Sequence, residues 1–346
     1  MTGSQNTPPS DRMIDPTLPL IDLHRHLDGS VRLETILELG RQHNLPLPAK
    51  DAVSLQKFVQ ITDPQPGVME FIAKMHWMTA ILVDYDACRR ISYENVLDAR
   101  DEGIDYVELR FSPHFMALPH KLNLRGVTEA VVDGVAAGVR AAGIPANLIG
   151  ILSRTYGPEA AWSELEALLS QGDHIAGLDL AGDETNFPGE LFARHIQRGR
   201  DVGWGITIHA GEAAGPASVW QAVRQLGAQR IGHGVHAIED PALIEYLAEQ
   251  RTGIEANLTS NVQTSTVPDY PSHPLRKFLE SGLLATINTD DPGVSAITLP
   301  YEYEVAAPAA GLTRQQIRTA QRNALDIAFL PEEEKSTLLE RKKNSL

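Results

Sequence analysis

Cysteine is nearly missing from this chain: Cys88 stands alone among 346 residues. One thiol closes no internal disulfide and completes no Cys-rich zinc site, so any metal must be held by histidine and carboxylate. The same scarcity suits a reducing cytoplasm, which is the expected location. Positive charge is also in short supply, with 30 Lys and Arg against 45 Asp and Glu and a formal charge of −15. Such a balance offers no overall attraction to phosphate backbones or anionic lipid, and it argues for a free small molecule rather than nucleic acid or a membrane as the partner. Long apolar runs are absent. Even Ala130 to Ile144 is broken by Asp133 and Arg140, whereas a membrane helix needs roughly 18 consecutive apolar residues. Residues 1–18 hold Pro8, Pro9 and Pro16 among small polar side chains and lack the apolar core of a signal peptide. They are expected to form a disordered lead-in, with residues 19–346 as one catalytic domain. The sequence leaves the oligomeric state open.

What the chain does contain is alternation. Short apolar or alternating runs, each ended by Gly, Pro, Asp or Asn, recur with helical patterns between them, as in βα units on a parallel sheet. Eight such runs are present: Leu20 to His26, Asp105 to Phe111, Leu148 to Leu152, Ile175 to Leu180, Gly205 to His209, Arg230 to Gly234, Gly253 to Leu258 and Leu284 to Asn288. Eight units predict a closed (β/α)8 TIM barrel, an α/β fold that this length accommodates as one domain. Pro216 to Gln225 and Pro241 to Gln250 read as helices, the second opened by Asp240 as N-cap. Nearly eighty residues separate the first run from the second, so extra helices must be inserted there. Such an insertion lies on the C-terminal face of a barrel and is a candidate lid, or simply a solvated addition.

Strand alternation puts His24 and His26 on one face, near the end of the first run. Alone, an H-x-H pair is more often an ordinary packed or exposed pair than a metal site. Here it has company at other strand ends. His209 closes the fifth run, where Ile206 and Ile208 suit the helix-facing side and Thr207 and His209 the interior. His233 closes the sixth, and Asp290 and Asp291 follow the eighth. Three imidazoles and a carboxylate make a catalytic zinc site rather than a sealed structural one, and zinc in such a site activates water near neutral pH. Glu212, three residues past His209, is near enough to act as an acid, or is an ordinary first-turn helix carboxylate.

Five motifs carry a resemblance. His24-Arg25-His26-Leu27-Asp28-Gly29, Leu180-Ala181-Gly182-Asp183-Glu184, His209-Ala210-Gly211-Glu212, Ile231-Gly232-His233-Gly234 and Asn288-Thr289-Asp290-Asp291-Pro292 look like the motif series of adenosine deaminases, in the same order. The similarity is to the bacterial members and extends from about Leu18 to about Glu334. It implies a metal-dependent (β/α)8 barrel that hydrolyses adenosine, and 2′-deoxyadenosine, to the 6-oxo nucleoside and ammonia in purine salvage. It implies further that His24, His26, His209 and Asp290 bind one Zn2+. Glu212 would protonate purine N1, and His233 would orient or deprotonate the attacking water. Gly182 would offer its N–H to the purine, Asp291 would bond the ring's other edge, and Asp28 with His26 would approach the ribose.

Alternatives follow from the same residues. Cys88 alone excludes the other zinc deaminase motif, H-x-E with P-C-x-x-C. A deaminase of free adenine would be expected to carry Glu at the position of Asp28. A related barrel could instead hydrolyse amides or phosphoesters, since function lives in the site and not the fold. A catalytically dead nucleoside-binding protein would be expected to have lost a ligand or the acid. Among other inward polar residues, Glu108 and Arg110 are predicted to form a structural ion pair, and Asp179 or Asp183 could support a ligand. His43, His76, His114, His120, His174, His195, His236 and His273 are read as structural or exposed. Phe71, Met75 and Trp77 either line the ribose side or belong to the core.

Overall fold

The computed structural model describes residues 12–345. Its sheet holds eight parallel strands in chain order: β1 Ile21–His26, β2 Tyr106–Phe111, β3 Ala146–Ser153, β4 Ile175–Ala181, β5 Gly205–Ala210, β6 Arg230–His233, β7 Gly253–Ala256 and β8 Leu284–Ile287. Each predicted run is a strand, with ends moved by one or two residues. Alternation explains both faces. In β2, Val107, Leu109 and Phe111 are fully buried under the helices, while Tyr106, Glu108 and Arg110 point into the barrel and are equally buried.

The seam between β8 and β1 is closed by Asp290. Its N–H donates to His24 O at 2.8 Å, and its C=O accepts from His26 N at 2.7 Å. Deeper in the seam, Asn288 Oδ1 accepts from Leu23 N at 3.0 Å, a side chain standing in for a backbone acceptor. To make these bonds after β8 has ended, Asp290 adopts φ +64°, a conformation costly for an L-residue. Barrel closure and the inward aim of this carboxylate are therefore one structural event.

The interval after β1 holds the extra helices Leu33–Gln42, Ala52–Val59, Val68–Ile72 and His76–Ala80 before the barrel helix Tyr85–Asp101. Val68, Phe71 and Met75 from this insertion reach over the C-terminal end and line the cavity described below. Trp77 is not among the cavity-lining residues and packs against the apolar core instead. At the opposite end Phe329 plugs the barrel, its ring lying where a Cβ on Gly205 would come within 2.6 Å. The helix predicted from Pro216 to Gln225 is α-helical only to Gln221, then runs through one π turn to Leu226 before Gly227 ends it in the left-handed region. The predicted N-cap holds: Asp240 accepts from Ala242 N and Leu243 N.

Of the expected lead-in, residues 1–11 lie outside the described residues. From Met13 onward the chain is tied to the C-terminal helices, which shortens that expectation. Met13 N donates to Glu304 at 3.0 Å, Arg318 pairs with Asp15 at 2.8 Å, and Gln321 Nε2 donates to Leu18 O at 3.0 Å. Polar side chains on those helices supply partners for the backbone, while Met13 and Ile14 pack against the core and Leu18 is buried in it, so the segment is held by both kinds of contact. Among the described residues no helix is long and apolar enough to cross a membrane.

Candidate active site and metal centre

The C-terminal ends of the strands surround a cavity, at the end where a barrel of this kind builds its chemistry. Four side chains converge at its wall. His24 and His26 come from β1, His209 from β5 and Asp290 from the seam; one ligand atom from each lies within 4.8 Å of all the others. His24 Nε2 is 3.1 Å and His26 Nε2 3.3 Å from Asp290 Oδ1, and His26 Nε2 is 3.3 Å from His209 Nε2. His24 Nε2 is buried with no hydrogen-bond partner among the described residues. A desolvated lone pair facing a carboxylate and two further imidazole nitrogens fits a divalent cation bound by nitrogen and oxygen donors.

Buried acceptors on the far side of two of the three rings set this geometry. Glu255 Oε2 lies 2.7 Å from His24 Nδ1, and Asp179 Oδ2 3.0 Å from His209 Nδ1. Ser260 Oγ donates to Asp290 Oδ2 at 2.6 Å. Arg110 ties the two acceptors together, with Nη1 2.8 Å from Asp179 and Nη2 2.8 Å from Glu255. The predicted pairing of Glu108 with Arg110 is thus incorrect. Neighbours on one strand face project side by side, and their charged tips reach across the interior to other strands. Glu108 meets Arg230 on β6 at 2.6 Å. Asp183 faces away and bonds Asn186 Nδ2 at 2.8 Å.

Glu255 is absent from the residues singled out by sequence, although the alternation in Gly253-Ile254-Glu255-Ala256 signals its inward direction. Glu184 stands out there only as part of a motif, yet it shapes the loop after β5. It accepts from Gly211 N at 2.7 Å, Glu212 N at 3.2 Å, Ala213 N at 2.8 Å and Ala214 N at 3.0 Å. That cradle turns Glu212 back into the cavity beside the histidine cluster. Burial, reinforced by the carboxylates of Asp290 and Glu184, holds the Glu212 carboxyl well above its ordinary range. That direction favours the protonated form of this carboxyl over its anion. Asp290 is held the other way: burial opposes its charge, but His233, His24 and His26 around it keep it well below the usual carboxylate range. The surroundings thus push two acids in one cavity in opposite directions, Glu212 toward its protonated form and Asp290 toward its anion.

His233, at the end of β6, has φ +63°. Its Nδ1 lies 3.5 Å from Glu212 Oε1 and its Nε2 3.9 Å from Asp290 Oδ2. Burial pushes this imidazole well below its ordinary value. Asp291 and Asp28 line the same cavity, both raised by burial although His26 counteracts it. One oxygen of each, Oδ1, has no partner among the described residues. Asp291 needs the glycine opposite it, since a Cβ on Gly29 would sit 1.6 Å from that oxygen. Gly182 has φ +107°, and a Cβ there would meet Thr155 Oγ1 at 2.4 Å, so backbone alone faces the cavity at this point. All nine residues expected at the site are brought together at one end of the barrel, though His24 itself stands just behind the cavity wall.

A (β/α)8 barrel that brings a cluster able to hold a cation and a buried acid to one cavity has the arrangement of the metal-dependent barrel hydrolases. Comparison with known proteins narrows that class. The chain belongs to the adenosine deaminase family, whose sequence pattern matches residues 19–344. The adenosine deaminase of Escherichia coli O1:K1 is 58% identical over 329 residues, 95% of this chain and 99% of its own length. Among solved structures, the adenine deaminase of Arthrobacter aurescens superposes with a TM-score of 0.87 at 23% identity, covering 95% of this chain and 99% of its own, a likeness of fold. An amidohydrolase from Burkholderia ambifaria, solved with bound Zn, has a TM-score of 0.85 at 26% identity over 95% of this chain and 91% of its own.

Proposed function

We propose that the chain is a zinc-dependent adenosine deaminase that converts adenosine and 2′-deoxyadenosine to the inosine nucleosides and ammonia, a reaction of purine salvage in the cytoplasm. The observation that carries this reading is Glu212, a buried carboxyl turned into the cavity beside the His24, His26, His209 and Asp290 cluster, where burial favours its protonated form. Those four residues would hold one zinc ion, which supplies Lewis acidity that makes water nucleophilic near neutral pH.

Glu212 gives its proton to purine N1, which draws electrons from C6 and makes that carbon electrophilic. The oxygen of water forms a bond to C6 while His233 holds that water in line. One proton of that water passes to the amino nitrogen and the other returns to Glu212 as the 6-oxo group forms. The C6–N bond breaks with ammonia as the leaving group, and N1 keeps the proton it received. Gly182 donates its N–H to one edge of the purine, and Asp291, raised by burial, shares a proton with the other. Asp28 Oδ1 is an unused acceptor near His26, suited to ribose hydroxyls. Val68, Phe71 and Met75 cover the sugar side and exclude bulk water.

Absorbance at 265 nm on mixing zinc-loaded protein with adenosine, with adenine in a parallel cell and ammonia assayed in both, tests the reading. Loss of absorbance with adenosine alone is expected. Equal turnover of adenine would remove the role given to Asp28. Silence in both, with hydrolysis of simple amides or esters, would overturn the reaction class.

A further inference from the structure

We propose that a buried hydrogen-bond relay running in one direction, from Leu275 N–H through His273 and Asn261 to His233, fixes His233 as the tautomer with its proton on Nε2. This inference rests on the reaction assigned above, and it makes Asn261 and His273 positioning residues for that reaction. The relay lies behind the cavity, and its three side chains are buried: His233 is 1% exposed, Asn261 0% and His273 3%.

Each step follows from the one before. A backbone N–H can only donate, so Leu275 N, 3.1 Å from His273 Nδ1, requires a lone pair on that nitrogen. A neutral imidazole bears one ring proton, which must then sit on Nε2. Burial keeps this ring neutral by pushing His273 down to about 3. His273 Nε2 is 3.1 Å from Asn261 Oδ1, so the amide turns its oxygen toward His273 and its NH2 the other way. That NH2 lies 2.9 Å from His233 Nδ1. Nδ1 of His233 therefore accepts, and the proton of its neutral ring is on Nε2.

Other groups near His233 do not reverse this assignment. Asn257 Nδ2 is 3.3 and 3.4 Å from the two ring nitrogens, an equidistance that puts it off the ring plane and in line with neither lone pair. Glu212 Oε1 stands farther from Nδ1, at 3.5 Å. The opposite edge of the ring, bearing Nε2–H, is turned toward Asp290 Oδ2 at 3.9 Å and the cavity. A ring in this state donates a hydrogen bond to an oxygen placed there and has no free lone pair on that edge. Of the two roles considered for His233, orienting the attacking water or deprotonating it, the relay selects orientation. The helix Leu258–Gln263 couples the parts, since Ser260 holds Asp290 and the next residue, Asn261, holds His233.

The test uses zinc-loaded enzyme labelled with 15N-histidine and long-range 1H–15N correlation spectra, with His233 assigned from the spectrum of His233→Gln. An unprotonated Nδ1 and a protonated Nε2 are expected in the wild type. Asn261→Asp keeps the shape but replaces the donor by a carboxylate, so the protonated nitrogen is expected to become Nδ1. A ring held in the wrong tautomer can cost on the order of 10⁴-fold in rate. With Asn261→Asp we expect kcat to fall at least about 100-fold while KM and zinc content stay close to wild type. His273→Gln, which frees the amide to turn, is expected to give a mixture of the two patterns and a smaller loss. A wild type protonated on Nδ1 would overturn the relay. So would an Asn261→Asp enzyme that inverts the tautomer and keeps its kcat, because the positioning role would be gone. A wild type that shows the Nε2–H pattern but does not deaminate adenosine would instead overturn the proposed function and leave the relay standing.

Discussion

At the N-terminal end of the barrel, inward charges are matched to one another and sealed. Arg230 pairs with Glu108 at 2.6 Å and with Glu255 at 2.7 Å, and its guanidinium lies 3.6 Å from the centre of the Phe329 ring. Phe329 N donates to the other oxygen of Glu108 at 2.7 Å. At the C-terminal end, side chains from the same eight strands and their loops are left incomplete. His24 Nε2, Asp28 Oδ1 and Asp291 Oδ1 have no hydrogen-bond partner among the described residues, and His233 and Asp290 sit at positive φ. Matched charges hold a shape, whereas unmatched ones confer the capacity to bind. Glu255 belongs to both ends, since one oxygen faces Arg230 and the other His24.

If the two ends are specialised in this way, variants at one should abolish chemistry and spare the fold, and variants at the other should do the reverse. The largest effect is expected from Asp290→Ala. Metal analysis after dialysis should find the ion lost and kcat at background; stoichiometric metal in this variant would remove Asp290 from the ligand set. Next comes Glu212→Gln, which should retain metal and melt near the wild-type temperature while kcat falls on the order of 10²- to 10⁴-fold, the range for loss of a general acid. A fully active variant would overturn the proton-donor role. Phe329→Ala tests the opposite end. It should cost roughly 1–3 kcal/mol in denaturant unfolding, less than a fully buried phenylalanine because the ring is only partly covered, with metal content and KM nearly unchanged. A loss of kcat as large as that of Glu212→Gln would mean the ends are not separable.

The smallest expected effect is a pH slope that sharpens where the boundary lies. Glu164 accepts from Ser112 Oγ at 2.6 Å, behind Asp28, and burial raises it to about 7. A carboxyl raised on folding contributes stability that is fully present below its unfolded value of about 4.5 and is lost as pH rises through about 7. Melting temperatures of wild type and Glu164→Gln measured from pH 4.5 to 7 should therefore converge as pH rises, apart from a constant offset. A constant gap would show that Glu164 is already ionised throughout.

Much of this contrast is legible in the amino-acid sequence. Val107, Leu109 and Phe111 alternate with Tyr106, Glu108 and Arg110, and such local patterns locate strands and say which side chains point inward. The same period puts His24, His26 and His209 at strand ends on one face. It does not say that Glu255 meets His24, 231 residues earlier, or that Arg110 reaches Asp179 and Glu255 instead of its neighbour Glu108. Nor does it distinguish Trp77 in the core from Met75 in the cavity, because both lie in one helical stretch and the direction of each depends on what it packs against.

Composition, strand period and the order of motifs, all properties of neighbouring residues, determined the barrel, the metal-binding set and the class of reaction expected of it. The tertiary structure alone decided which charge answers which, that Asp290 closes the barrel as it turns inward, and which nitrogen of His233 carries the proton. Those outcomes depend on donors and acceptors from distant strands meeting in a space with no water to satisfy them, where each group must find its partner in the fold or be left for a ligand.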